Sequence, residues 1–326
     1  MASLYFAADE TRTFGLNIWR SDAGADIGLL LGTAPAADIV VLRDQVAQVQ
    51  KNSIISNGAI DAALRDLILT FRKDLHDDNT MSATGVECQV VVAGAADAPA
   101  IQKICLENFS GYPGHYQLSP YLADATAAQG MLSWLDLLQQ QDGEGVYVVR
   151  QGEKTMGVLG YSFEKQVAEL AIAAISAEAG VRQRNLLLVE ATRRVEQKLM
   201  QRGFKKFLAK TQATNLSIQR DLVRYVHCEP AATLATAHVH LFLGQIAKRG
   251  EDILSQDNLR ETVMSYAVTV MNKAPLQKLH LYAPAGSRPV KYRALSMPRR
   301  DGARALFFAG YDDSDRVVAV ASAFSS

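Results

Sequence analysis

The stretch RGFKKFLAKTQATNLSIQRDLVRYVHCEP, residues 202–230, decides how the chain is read. Gly203 closes a long helical pattern that runs over about 183–202, since glycine accepts the backbone conformations that end helices. KKFLAKTQ (205–212) follows as a strand, the segment 215–226 led by Asn215 returns to helical spacing, and a further strand lies at 233–243. Upstream, the strand-like runs GVYVVR (145–150), MGVLGYSF (156–163) and VAELAIAAIS (167–176) are separated only by QGEKT and EKQ. Connections this short join antiparallel hairpins. A strand at 86–92, a helix at 97–109 and a second helix reaching about 140 precede them. Three meandering strands followed by helix, strand, helix and strand fit neither a doubly wound nucleotide-binding sheet nor a barrel.

This order resembles the GNAT acetyltransferase fold. Gly203, the strand Phe207 to Thr211 and the helix carrying Asn215, Gln219 and Arg220 bear the resemblance. FSGYPGHYQLSP (109–120) and TAHVHLF (236–242) are similar to the sugar-nucleotide N-acetyltransferases of that superfamily, whose small N-terminal subdomain begins near an FG-x-N element, as at Phe14, Gly15, Leu16 and Asn17. The resemblance spans roughly residues 10–245. It implies an α/β (α+β) protein with an N-terminal α/β subdomain (1–80) and a GNAT-like acyltransferase domain (81–246), beyond which the residue pattern itself gives a C-terminal helix-plus-antiparallel-sheet domain (247–326). The polar intervals HDDNTMSATG (76–85) and AKRGEDILSQDN (247–258) mark the boundaries. The implied activity is acyl-CoA-dependent N-acyl transfer, with acetyl-CoA as co-substrate and the amine of an amino-sugar nucleotide or a similar small amine as acceptor. A catalytically degenerate binding or interaction module of the same fold is the alternative.

In such a fold the acyl-CoA enters where two strands splay, here those at 167–176 and 205–212. A main-chain donor near Ala173, Ala174 and Ile175 would polarise the thioester carbonyl. The phosphates would lie at the start of the following helix, where unpaired N–H groups and the positive dipole end favour anions. The resemblance places that turn at Arg182, Gln183, Arg184 and Asn185, followed by Leu186 and Leu187, where the superfamily has glycines. Two arginines supply charge in place of close backbone approach, and a capped amphipathic helix without a ligand is the competing reading. The superfamily's acid, a tyrosine seven residues after the helix-leading asparagine, falls on Leu222; Tyr225 lies three residues further along. It is the candidate acid, a buried structural tyrosine being the other reading.

For the acceptor, Tyr112, His115 and Tyr116 form a polar-aromatic group within a Gly-Pro-Gly loop suited to proton transfer and ring stacking. His238 and His240 share one strand face and are candidate substrate contacts; with no third ligand in sequence, metal is the lesser reading. Glu169 is an alternative base acting through water, or part of a solvated strand face.

The whole chain has 326 residues, 48% apolar and 21% charged, which excludes a disordered polyelectrolyte. Lys plus Arg (34) equals Asp plus Glu (34), so net charge offers no reason to expect nucleic-acid or anionic-membrane partners. No run approaches the ~20 apolar residues of a membrane span. Cys88, Cys105 and Cys228 stand far apart, and a soluble cytoplasmic protein with buried thiols is expected. Beyond residue 258, helical spacing at Leu259, Val263, Tyr266, Ala267 and Val270 gives way to strand-like runs at 277–283, 289–296, 303–311 and 316–324. Their sequence is similar to the second half of hot-dog-fold enzymes, and homodimer formation through this sheet is the expectation.

Overall fold

The computed structural model describes residues 4–21, 27–46, 49, 61–76, 84–112, 114–122, 124–253, 259–270, 276–283, 286 and 288–325. By compactness the chain divides into a terminal unit (Met1–Asp66, Leu118–Ala123 and Ala235–Ser326) and a central unit (Leu67–Gln117 and Asp124–Leu234). The N-terminal segment and the C-terminal sheet, read from sequence as separate parts, thus fall in one unit.

The central unit holds β4 (Asp61–Asp74, from Leu67 onward), β5 (Gln89–Val92), α3 (Ala98–Phe109), α4 (Asp124–Asp142), β6 (Val146–Gln151), β7 (Lys154–Glu164), β8 (Val167–Ile175), α5 (Val181–Gln201), β9 (Lys206–Gln212) and α6 (Leu216–Arg224). Its strands lie in the order β4-β9-β8-β7-β6-β5. Among the described residues of this unit β8 and β9 pair in parallel, and β4 with β9, β5 with β6, β6 with β7 and β7 with β8 pair antiparallel. The helix–strand–helix order around β9 is the one that the quoted stretch predicts.

One set of side chains on this sheet, including Tyr147, Leu159, Tyr161, Leu170 and Phe207, packs with Leu187, Ala191, Val195 and Leu199 of α5. Another, including Val146, Val158, Ile172 and Ala174, packs with Ile104, Cys105 and Phe109 of α3 and Leu135 and Leu138 of α4. Leu170 and Ile172 have the same parity yet join different clusters. The register explains this: Tyr161 pairs with Leu170, but Gly160 pairs with Ile172, so Ala171 is an extra residue in β8. Such a bulge bends its strand and reverses which face the later residues present. A Cβ at Gly160 would meet the terminal methyls of Leu135 and Leu138 at 2.8 and 2.9 Å, so a side chain there would require both leucines to shift.

The terminal unit contains β1 (Leu4–Phe6), α1 (Ala8–Phe14), β2 (Ile18–Ser21), α2 (Ile27–Thr33), β3 (Ile39–Gln45) and the second half of β10 (Glu229–His240). The FG-x-N element has a structural task. Gly15 ends α1 at φ 67°, and the Asn17 main-chain N–H donates to Asp38 Oδ2 at 2.9 Å. The Asn17 side chain also donates to the Ala36 carbonyl at 3.0 Å. Asp38 in turn accepts from the Gln245 N–H in the first turn of α7 (Leu243–Arg249).

The C-terminal elements are β11 (Glu251–Ile253), α8 (Leu259–Val270), β12 (Leu276–Tyr282), β13 (Lys291–Pro298), β14 (Arg304–Tyr311) and β15 (Val317–Ser325), with sheet order β11-β13-β14-β15-β12. Val263 and Ala267, one turn apart on α8, pack with Tyr292, Ala294, Leu306, Phe308, Ala319, Ala321 and Ala323. These strand positions alternate as one face must. The other face of β14 presents Phe307, whose ring lies 4.7 Å from Phe242 and 5.7 Å from Tyr121. The acidic turn at 312–315 is a hairpin device: Asp312 Oδ1 accepts from the N–H groups of Ser314 and Arg316.

A buried polar chain also lies within this unit. His240 Nε2 is 3.2 Å from Ser119 Oγ, and its Nδ1 is 3.1 Å from the Asp61 carbonyl and 3.3 Å from Asp61 Oδ2. The Tyr121 hydroxyl donates to that same carboxylate at 2.7 Å. Burial alone would raise the Asp61 carboxyl, but the hydrogen bond and charge of His240, the Tyr121 hydroxyl and Arg65 outweigh it and hold the group at about 2. An unfolded Asp61 titrates near 3.8, so its contribution is fully present above that value and disappears as pH falls through about 2. Denaturant melts should therefore lose about 2 kcal/mol through this group between pH 5 and 2. The Asp61→Asn variant should lack that part of the acid dependence.

All three cysteines are free and buried. Burial pushes the Cys105 thiol up to about 12, and burial together with the negative charge of Glu196 does the same for Cys228 against the opposing pull of Lys73. Among the described residues, no helix is long and apolar enough to cross a membrane.

Candidate active site

The parallel pairing of β8 with β9 runs from Val167–Lys206 to Leu170–Ala209 and ends there, at the bulge. Beyond this point β9 continues along β4 as far as Gln212–Ile68, while β8 continues along β7. The two strands are thus held by different neighbours and part. Between them opens a cavity of about 170 Å³ lined by Leu170 to Ala173 of β8, Ala209 to Thr211 of β9, Leu188, Val189 and Thr192 of α5, and Asn215, Ile218, Asp221 and Leu222 of α6. Phe109, Tyr112, Met131 and Val226 complete the lining. Its walls are mainly apolar with a few polar groups, the usual make-up of a small-molecule site.

Of the three residues expected near the thioester, Ala173 lines the cavity, whereas Ala174 and Ile175 are core residues. The bulge moves the lining segment to Leu170–Ala173. The expected anion turn also shifts. Arg182 to Leu187 lie inside α5, whose N-cap is Gly180 at φ 68°, ψ 154°, a backbone conformation that is essentially confined to glycine. The turn before the helix is therefore Ser176–Gly180, and the N–H groups of Val181, Arg182 and Gln183 have no carbonyl one turn earlier to bond. Arg184 begins the helical ladder by donating to the Gly180 carbonyl. Its guanidinium donates to Asn108 Oδ1 at 2.5 Å, and Asn108 in turn donates to the Ile175 carbonyl. Asn185 donates to Ser217 at the start of α6. These two side chains thus join elements around the cleft. Gln183 is exposed, and the Arg182 side chain lies outside the described residues.

Asn215 lines the cavity and caps α6, its side chain accepting from the Ile218 N–H at 3.4 Å. Gln219 donates to the carbonyls of Gln212 and Ala213, fixing the β9–α6 turn. Leu222, at the expected tyrosine position, is a buried lining residue. Tyr225, the candidate acid, is not among the residues that line the cavity. The helix ends at Arg224 with Tyr225 as its C-cap, and His227 takes a left-handed conformation at φ 58°. Val226 then turns into the core while Tyr225 is left 45% exposed.

In the loop after α3, Tyr112 reaches the cavity and meets Phe109 edge-on at 5.8 Å. His115 and Tyr116 are half-buried, their rings 4.0 Å apart. Gln117 pins the loop, donating to the Phe109 carbonyl and accepting from the Gly114 N–H; Pro113 lies outside the described residues. Glu169 pairs with Lys210 Nζ at 2.8 Å across the β8–β9 seam and is not part of the lining, so its carboxylate serves the strand pair. His238 and His240 belong to the terminal unit and are fully buried. Both ring nitrogens of His240 are engaged by protein groups, which leaves it no nitrogen for a substrate. Among the described residues no three His, Cys, Asp or Glu are grouped to hold a metal.

Thr192 and Asp221 are polar lining residues that the sequence reading did not single out. The signal for Asp221 is present: it lies three residues from Ile218 and beside Leu222, so a carboxylate interrupts the apolar stripe of α6.

No protein-family model and no curated protein matches the chain. Similar solved structures include a GCN5-related N-acetyltransferase from Sphaerobacter thermophilus, 12% identical over 73% of this chain and 76% of that one, with a TM-score of 0.48. A tandem GNAT protein from the clavulanic acid biosynthesis pathway is 11% identical over 69% and 76%, at 0.44. A conserved protein of unknown function from Staphylococcus epidermidis is 7% identical over 73% and 90%, at 0.49.

Proposed function

We propose that the protein transfers an acyl group from acyl-CoA to a small amine, with acetyl-CoA as the co-substrate. The parting of β8 and β9 at the Ala171 bulge carries this reading, because it frees a strand edge along an apolar cavity. An extended pantetheine arm suits such an edge, where main-chain groups bond it as they would another strand. A thioester is already activated. The protein need only align the amine, polarise the carbonyl with a β8 main-chain N–H, and discharge the sulfur. The N-terminus of α5, opened by Gly180, suits the CoA phosphates.

Tyr112, with His115 and Tyr116 in the same loop, is our candidate for the acceptor side, and an amino-sugar nucleotide is the acceptor we favour. A homodimer through the C-terminal sheet and a cytoplasmic setting belong to the same reading. The degenerate-module alternative draws on one observation, the leucine at the expected acid position. Incubating the protein with acetyl-CoA and a panel of amines that includes nucleotide-activated amino sugars, with free thiol as the readout, separates the two. Amine-dependent thiol release is expected. Binding of acetyl-CoA with no release for any amine would favour the module.

A further inference from the structure

We infer that Asp221 is the catalytic acid of the cleft, giving its carboxyl proton to the departing CoA thiolate in place of the absent tyrosine. This rests on the acyl-transfer reading above. Asp221 lines the cavity beside Leu222, and its side chain is only 6% exposed. Its Oδ2 is buried without a hydrogen-bond partner. Oδ1 lies 3.6 Å from Arg220 Nε.

No structural role accounts for a carboxylate here. It caps no helix start, and it sits in the last turn of α6, where the helix dipole disfavours negative charge. A buried carboxylate with one oxygen left without a partner costs stability, whereas a carboxylic acid facing a nascent thiolate has a use. Burial raises the Asp221 pKa against the pull of Arg220, which lengthens the pH range over which the proton is present. Around the site the charged groups are Arg220 on α6 itself and Lys210 on β9, the latter paired with Glu169. The lining from α5 is Leu188, Val189 and Thr192, and that from β8 is wholly apolar.

The step balances as follows. The amine nitrogen attacks the thioester carbonyl carbon and a C–N bond forms. The C–S bond breaks and its electron pair stays on sulfur. The Asp221 proton moves to sulfur, giving the free thiol. The nitrogen's surplus proton leaves to water, and the Asp221 carboxylate regains a proton from solvent.

The test compares wild type, Asp221→Asn and Asp221→Glu in the full chain. Acetyl-CoA affinity is measured by calorimetry, and thiol release with the best amine found, or with water where no amine reacts. Asp221→Asn should bind acetyl-CoA within about threefold of wild type yet release thiol about 100-fold or more slowly, the usual loss on removing a general acid. The wild-type rate should fall as pH rises through the Asp221 titration, and the asparagine variant should lack that limb. Asp221→Glu should restore part of the rate together with the limb, which a purely structural role would not produce. Full affinity with a rate within threefold of wild type in Asp221→Asn would overturn the assignment, whereas no thiol release by the wild type would remove the acyl-transfer reading together with it. Should the asparagine variant fail to fold, a wild-type profile without the alkaline fall overturns it equally. Failure of wild type to bind acetyl-CoA would instead remove the acyl-transfer reading on which the inference stands.

Discussion

Ala173→Phe is expected to weaken acetyl-CoA binding at least about 100-fold, equivalent to about 2.7 kcal/mol, while the protein stays folded. Ala173 lies on the lining segment of β8 just past the bulge, and Lys210 and Thr211 of β9 line the same cavity. A phenyl ring in about 170 Å³ occupies the room a pantetheine arm would need. Ala173 is partly buried rather than sealed in the core, so the overpacking cost should stay at the low end of about 1–3 kcal/mol. Calorimetry with acetyl-CoA reads the binding, and a thermal melt reads the folding. Unchanged affinity would put the acyl-CoA elsewhere.

Lys73→Met should have the largest effect on stability. Lys73 of β4 and Glu196 of α5 form an ion pair at 2.8 Å with side chains only 2% and 4% exposed. Burial raises the Glu196 carboxyl to about 7 even against the charge and hydrogen bond of Lys73. Removing the ammonium strands the carboxylate, at a cost of about 3–5 kcal/mol. The sign of the pH dependence follows. A carboxyl whose folded pKa exceeds its ordinary 4.5 favours the fold when protonated, so the variant's deficit should be small near pH 5 and grow as pH rises past 7. Denaturant melts at pH 5 and 8 measure this. The double variant Lys73→Met, Glu196→Leu should recover most of the loss, because an apolar pair of similar volume replaces two desolvated charges. A pH-independent deficit, or no recovery, would contradict this account of the pair.

The elements were legible where apolar period and turn chemistry agree. The meander β6–β7–β8, the long helix before Gly203 and the C-terminal helix of Leu259–Val270 fall within a few residues of their expected bounds. The bulge was not legible, because Ala168, Leu170, Ile172 and Ala174 alternate without a break and the extra residue, Ala171, is as small as its neighbours. Only the pairing with β7 shows that the face changes. That Tyr225 lies off the lining was not legible either, because no glycine warns that α6 ends at Arg224; a histidine takes the left-handed position instead. His238 and His240 do share strand parity as expected, but burial is set by tertiary packing that a single strand's pattern does not reveal.

The α5 N-terminus shows the opposite case. The glycine that opens it stands plainly in the sequence at Gly180, two residues before the arginines that took its place in the reading by resemblance. Asp221 likewise was visible as a charge on an apolar stripe. What the sequence could not convey is that the stripe borders a cavity rather than a closed core, since that depends on two strands parting elsewhere in the chain.

The central claim is that the parted strands form an acyl-CoA site, and calorimetric titration of acetyl-CoA into the wild-type protein tests it most directly. One saturable site per chain, lost in Ala173→Phe and retained in Asp221→Asn, is the predicted result. No heat beyond dilution with acetyl-CoA at millimolar concentration would contradict it.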